Sequence, residues 1–114
     1  MAIPVLLKKR IELRLANYCE ARIPQHVRDL LRLAFRFRGN SVTLFEERPA
    51  FADPSRWVDI VVAQFRYDPA TSQWQLHWAD RNSRWHVYWD LDPSPDFDVL
   101  LKEVDDDPMG IFWG

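Results

Sequence analysis

The sequence predicts an α+β fold: an N-terminal helix, a five-stranded antiparallel β-meander and a C-terminal helix, with the helices covering one sheet face. Three observations predict it. The stretch at residues 73–90, QWQLHWADRNSRWHVYWD, holds four of the six tryptophans, and there apolar and polar residues alternate with the period of a half-buried strand. Around Gly39-Asn40, two such runs face each other so that opposite charges fall across from one another. Apolar residues at helical spacing bracket these strands, at Leu7, Ile11, Leu15 and Tyr18 and again at Phe97, Leu100, Leu101 and Val104.

Residues 5–22 are rich in Leu, Lys, Arg, Glu and Ala, all good helix formers, behind Pro4 in the first turn. Leu6, Leu13 and Cys19 are expected to widen the apolar stripe. Ile23-Pro24 ends the helix, because the residue before a proline avoids the helical region. Residues 30–38 and 41–48 read as strands joined by a type II′ turn with Gly39 first. That register sets Phe37 against Val42, Phe35 against Leu44 and Leu33 against Glu46 on one face. On the other it sets Arg36 against Thr43, Ala34 against Phe45 and Arg32 against Glu47.

After a loop with two prolines, residues 57–67 form a third strand, and residues 68–72 turn into the tryptophan hairpin. With a two-residue turn at Asn82-Ser83, that hairpin pairs Asp80 with Trp85, Trp78 with Val87 and Leu76 with Trp89. It then carries Trp74, Leu76, Trp78, Trp85, Val87 and Trp89 on the core face, and Gln75, His77, Ala79, His86, Tyr88 and Asp90 outward. Ser94 or Asp96 can cap the second helix. The ending Ile111-Phe112-Trp113-Gly114 is too apolar for a free tail, and docks on the sheet or on a partner. The pattern leaves open whether the five strands stay open or curl strongly toward a barrel.

A chain of 114 residues is expected to be a single domain, residues 1–114, able to bury a core without staples. The one cysteine excludes an internal disulfide and fits a reducing compartment; with no signal peptide and no apolar run of membrane-spanning length, the cytoplasm is expected and a membrane is not. The net charge of −2 hides a split. Residues 1–48 hold ten Lys and Arg against five Asp and Glu, and residues 49–114 hold five against twelve. Either a basic face awaits an anionic partner, or the basic helix lies against the acidic C-terminal segment of the same chain.

Several phrases in order, RGNSVTLFEERP (residues 38–49), DPSRW (53–57), AQFRYD (63–68), DRNSRWHVY (80–88) and DPMGIFWG (107–114), resemble the bacterial family catalogued as domain of unknown function 3024. The resemblance spans nearly the whole chain and implies that it runs complete to its Phe-Trp-Gly end. It brings no activity, cofactor or catalytic residue with it.

The residues themselves offer three functional readings. The first is a non-enzymatic module for a protein partner or for self-association, using the outer sheet face and the turn at residues 81–84. The second is weak nucleic-acid binding through Arg32, Arg36, Arg38 and Arg66 on that face, with Arg81, Asn82 and Arg84 in the turn and His86 and Tyr88 beside them, Phe45 adding an exposed aromatic. The third is a small hydrolase or metal-dependent enzyme. There Glu46, at the edge of the core, serves as acid or base alone or with Asp80, or His77 and His86 with Asp90 hold a metal. The plainer view of each is a solvated face with paired charges, Glu46 meeting an arginine such as Arg56 or Arg84. No phosphate-cradling loop, nucleophile elbow or metalloprotease motif is present, so no cofactor is expected.

Overall fold

The computed structural model describes residues 3–113. Helix α1 (Val5–Arg22) is followed by a single 3-10 turn and then by strands β1 (Arg32–Arg38), β2 (Ser41–Pro49), β3 (Trp57–Asp68), β4 (Gln73–Ala79) and β5 (Trp85–Val87), with helix α2 (Phe97–Asp106) last. The strands form one antiparallel sheet in the order β1-β2-β3-β4-β5, open rather than closed into a barrel. This is the α+β meander the sequence predicts.

The first hairpin has the expected register, with Arg32 opposite Glu47, Leu33 opposite Glu46, and so on to Arg38 opposite Ser41. Its turn works because Gly39 takes a φ of +57° while Asn40 stays at negative φ, the requirement of a type II′ turn. Between β2 and β3 the register shifts: Leu44 faces Ala63 but Phe45 faces Val61, so Val62 is an extra, bulged residue. The bulge accounts for Val61, Val62 and Ala63 being apolar without alternation.

The helices cover the face that carries Leu33, Val42, Leu44, Phe65, Trp74 and Leu76, all buried. From α1, Ile11, Leu15 and Tyr18 reach this core, and from α2, Phe97, Leu100, Leu101 and Val104 do. Leu6 and Leu13 do not widen the stripe; they are 77 % and 66 % exposed, on the flank of α1 away from the core centre. Asp96, not Ser94, caps α2, accepting a hydrogen bond from the Asp98 amide at 3.0 Å. Ser94 instead bridges to Trp74 and covers the edge of β4 that β5 leaves open.

Of the two explanations for the split charge, the structure shows basic helix against acidic helix. Arg14 meets Asp98 at 2.7 Å, Arg22 meets Asp105 at 3.2 Å, and the Tyr18 hydroxyl donates to Asp105 at 2.8 Å. The segment Ile111 to Trp113 docks on the chain itself, Gly114 lying outside the described residues. Asp107, left-handed at φ +41°, accepts from the amides of Ile111 (2.9 Å) and Phe112 (3.2 Å) through Oδ1, and from Trp113 (3.0 Å) through Oδ2. Phe112 is buried against Tyr88, the Trp113 indole donates to the Val104 carbonyl, and the Arg22 guanidinium lies over that indole.

The last hairpin departs from expectation. Ala79 faces Trp85, Trp78 faces His86 and His77 faces Val87, one residue away from the expected pairing. The reason is the turn. Asp80 accepts from the Ser83 amide and donates to the Arg84 carbonyl, leaving a three-residue loop, Arg81-Asn82-Ser83, with Ser83 left-handed at φ +61°. One extra loop residue turns every β5 side chain to the other face. His86 and Tyr88 therefore lie on the core side, while Trp85 and Val87 lie on the outer side, with Trp89 61 % exposed beyond the strand's end.

Candidate functional site

Register places the outer-face residues in rows. One row runs Arg38–Ser41–Arg66–Gln75 across four strands; the next runs Arg36–Thr43–Gln64–His77–Val87 across five. The arginines Arg32, Arg36, Arg38 and Arg66 are thus brought to one face, as the sequence predicts. Two of them are occupied. Arg32 lies over Trp57 with its guanidinium carbon 4.2 Å from the ring centre, and Arg36 lies over Phe45 at the same distance while meeting Asp59 at 2.8 Å. Phe45 is consequently buried rather than an exposed aromatic. Although Arg32 faces Glu47, its Nε donates to the Arg28 carbonyl instead.

Arg66 donates to Gln64 at 2.7 Å, and Gln64 donates onward to Thr43 at 3.0 Å. Beside this chain His77 is buried in the middle of the sheet, with Nδ1 lacking a hydrogen-bond partner. Burial, and secondarily the Arg66 charge, hold the His77 pKa below the usual imidazole range, so it sits there as the neutral base. Arg38, Asn40, Ser41, Gln64, Arg66 and Tyr67 line a shallow recess of about 410 Å³ at this end of the face.

The turn residues Arg81, Asn82 and Arg84 project at the hairpin tip, exposed. His86 and Tyr88 do not join them on the outer face. The His86 ring stacks on Trp78 with centres 4.8 Å apart, and its Nε2 lies 2.7 Å from Asp80 Oδ2. That contact and the amides of Arg84 and Asn82 hold the Asp80 carboxyl below its usual range. Tyr88 is 1 % exposed and its hydroxyl donates to Glu103 at 2.7 Å; burial first and this carboxylate second push its pKa upward. His77 and His86 therefore lie on opposite faces of the sheet, and among the described residues no three His, Cys, Asp or Glu side chains gather to hold a metal.

Glu46 points to the core side as expected, buried, but its partner is Arg48 two residues on, at 2.8 Å, rather than Arg56 or Arg84. It opens toward a cleft of about 330 Å³ lined by Arg22, Val27, Leu31 and Trp113.

One feature of the surface is absent from the sequence expectations. Along the outer edge of the sheet, the flank of α1 and the strand β1 do not close on each other. A cleft of about 650 Å³ lies between Leu13 and Ala16 on the helix and Phe35 and Phe37 on the strand, with Lys9, Glu12 and Lys8 also lining it, the Lys8 ammonium 5.1 Å from the Phe37 ring centre. A second, of about 230 Å³, continues the same seam between Cys19 and Ile23 on the helix side and Leu33 on the strand. Val5, Leu6 and Leu13 on α1, and Leu30 at the approach to β1, are all more than 60 % exposed. Leu6 and Leu13, seven residues apart, stand exposed on α1 rather than in the stripe that faces the core.

An open, five-stranded antiparallel sheet backed on one face by two helices, with the other face and one edge uncovered, defines a small α+β domain of the open-faced kind. Residues 3–114 match the family model described as Domain of unknown function (DUF3024), and the chain belongs to that family. No curated protein and no solved structure matches it.

Proposed function

We propose that this protein is a non-enzymatic interaction module that binds a protein partner. The observation that carries the reading is the apolar cleft between Leu13 and Ala16 on α1 and the half-buried Phe35 and Phe37 on β1, on a helix whose Val5 and Leu6 are also exposed. Scattered apolar residues on a surface need no explanation, whereas Leu13, exposed on α1, opens with Ala16, Phe35 and Phe37 into one cleft, as partner surfaces do. Three of the groups with acid–base chemistry, by contrast, are engaged structurally: Glu46 with Arg48, Tyr88 with Glu103, His86 with Asp80. No helix among the described residues is long and apolar enough to cross a membrane. Cys19, the one cysteine, is free and half buried, which fits a reducing compartment, and we propose the cytoplasm.

The experiment is crosslinked affinity capture from the protein's own cells at native expression, followed by mass measurement of the complex. A discrete, stoichiometric partner is the expected result. A protein that stays monomeric and brings nothing down removes the reading.

Weak nucleic-acid binding is a second reading, favoured by the Arg38–Ser41–Arg66 row, where neither arginine meets a carboxylate among the described residues. It requires affinity for a single-stranded oligonucleotide that falls steeply as salt rises. Lack of binding at low salt eliminates it.

A further inference from the structure

Strand β1 is the longer of the two strands that end the sheet, and its outer edge is a place where another strand can add. In a two-residue hairpin the closing pair, Arg38 with Ser41, is the hydrogen-bonded one, and hydrogen-bonded pairs then alternate along the ladder. Arg36–Thr43, Ala34–Phe45 and Arg32–Glu47 are bonded inward, and Leu33, Phe35 and Phe37 turn their N–H and C=O groups away from β2. Backbone groups left this way form a template for strand addition unless something blocks them. Here nothing described covers them; the two clefts at the α1 flank run beside them for the length of β1, about 23 Å for seven residues.

We infer that the β1 edge takes up an extended peptide segment of a partner protein, as a sixth strand whose side chains alternate between apolar and acidic. The inference deepens the interaction-module reading and rests on it. Both halves of the pattern follow from β1 itself. Side chains of an added strand on the core side would sit next to Leu33, Phe35 and Phe37 and fill the cleft under Leu13 and Ala16, which selects apolar residues. Side chains on the outer side would neighbour Arg32, Arg36 and Arg38. Arg36 already meets Asp59 and Arg32 lies over Trp57, so it is Arg38, paired with no carboxylate among the described residues, that selects Asp or Glu, because cross-strand neighbours of opposite charge stabilise a pair.

The same charges argue against a second copy of this chain as the occupant. A two-fold antiparallel pairing of β1 with β1 that overlaps the strands fully and keeps phenylalanines on one side brings arginine against arginine. Strand addition is an established mode of peptide capture, with main-chain bonds supplying affinity and alternate side chains supplying selectivity.

The test uses the full chain, isotope-labelled, and three nine-residue peptides with blocked ends: alternating valine and glutamate, alternating valine and lysine, and the valine–glutamate composition with the two residue types in separate blocks. The expected result is that the alternating valine–glutamate peptide shifts the amides of Leu33, Phe35 and Phe37 and slows their exchange, binding at least tenfold more tightly than either of the others. Leu13→Glu, a change at an exposed position that leaves the core intact, should weaken it at least tenfold; Arg38→Glu should narrow the gap between the acidic and basic peptides. Equal binding of acidic and basic peptides, shifts elsewhere, or no binding overturns the inference. If a partner captured from cells is retained by the Leu13→Glu variant, the edge is refuted and the interaction reading stands; if no partner is captured by the unaltered protein, the reading beneath it falls as well.

Discussion

Replacing Asp107 with alanine should undo the C-terminal hook, and the size of the loss follows from the geometry. The carboxylate accepts three backbone amides, at 2.9, 3.2 and 3.0 Å, from three consecutive residues. Hydrogen bonds to a charged acceptor contribute about 1.5–3 kcal/mol each when removed singly. Three at one carboxylate are not additive, since the segment leaves as a unit. What bounds the loss is the docking itself: burial of Phe112 contributes ~1.5–3 kcal/mol, and the bond from Trp113 to the Val104 carbonyl adds about 1. Asp107→Ala is therefore expected to cost ~2–4 kcal/mol, a large share of the 5–15 kcal/mol or so that a domain has. Urea unfolding followed by tryptophan fluorescence measures it. Because Asp107 has a left-handed φ, Asp107→Gly separates backbone from carboxylate. If the carboxylate matters, the glycine variant is nearly as unstable as alanine. A glycine variant at wild-type stability, or an alanine variant within about 0.5 kcal/mol of it, would refute the reasoning.

Ser83 holds a left-handed φ of +61° in the hairpin loop, so Ser83→Gly should raise stability by about 0.5–1 kcal/mol in the same unfolding assay, and a loss would contradict the loop assignment. Arg48→Ala strands the buried Glu46 carboxylate and should cost ~1–3 kcal/mol, while Glu46→Leu combined with Arg48→Ala should recover most of it; equal losses in both variants would show that the pair is not the reason. His77 has a folded pKa below its unfolded value of about 6.5, so the unfolded chain binds the proton first, and stability falls as pH drops from 6.5 toward the depressed folded pKa. His77→Gln should flatten that slope in unfolding measured across this range, and an unchanged slope would assign it elsewhere.

Local chemistry explains which parts of the molecule were legible in the sequence. The first hairpin was readable to the residue because Gly39 names its turn and Arg32/Glu47 confirm its register. Both helices were readable from periodicity, and the docked C-terminus from its apolar content. The second hairpin was not, because its left-handed loop position holds serine where glycine or asparagine would announce a three-residue loop, and an error of one residue moved His86 and Tyr88 to the wrong face. Of the candidate binding residues, Arg32, Arg36 and Arg66 do share a face, but sequence spacing could not show that Arg36 is neutralised by Asp59, 23 residues away. The α1–β1 seam escaped for a related reason: exposed leucines and a core-facing helix stripe look alike until the helix is seated on the sheet, and Leu13 belongs to the first.

The most direct measurement of the central claim, that the uncovered edge of the sheet meets a partner, is site-specific photo-crosslinking in the protein's own cells. A photoreactive side chain would be placed at Ala16, inside the α1–β1 seam, and in a separate protein at Gln75, on the outer face. A discrete adduct from position 16 and none from position 75 is what the account predicts. An adduct from position 75 alone would contradict it and move the functional surface to the arginine-bearing face.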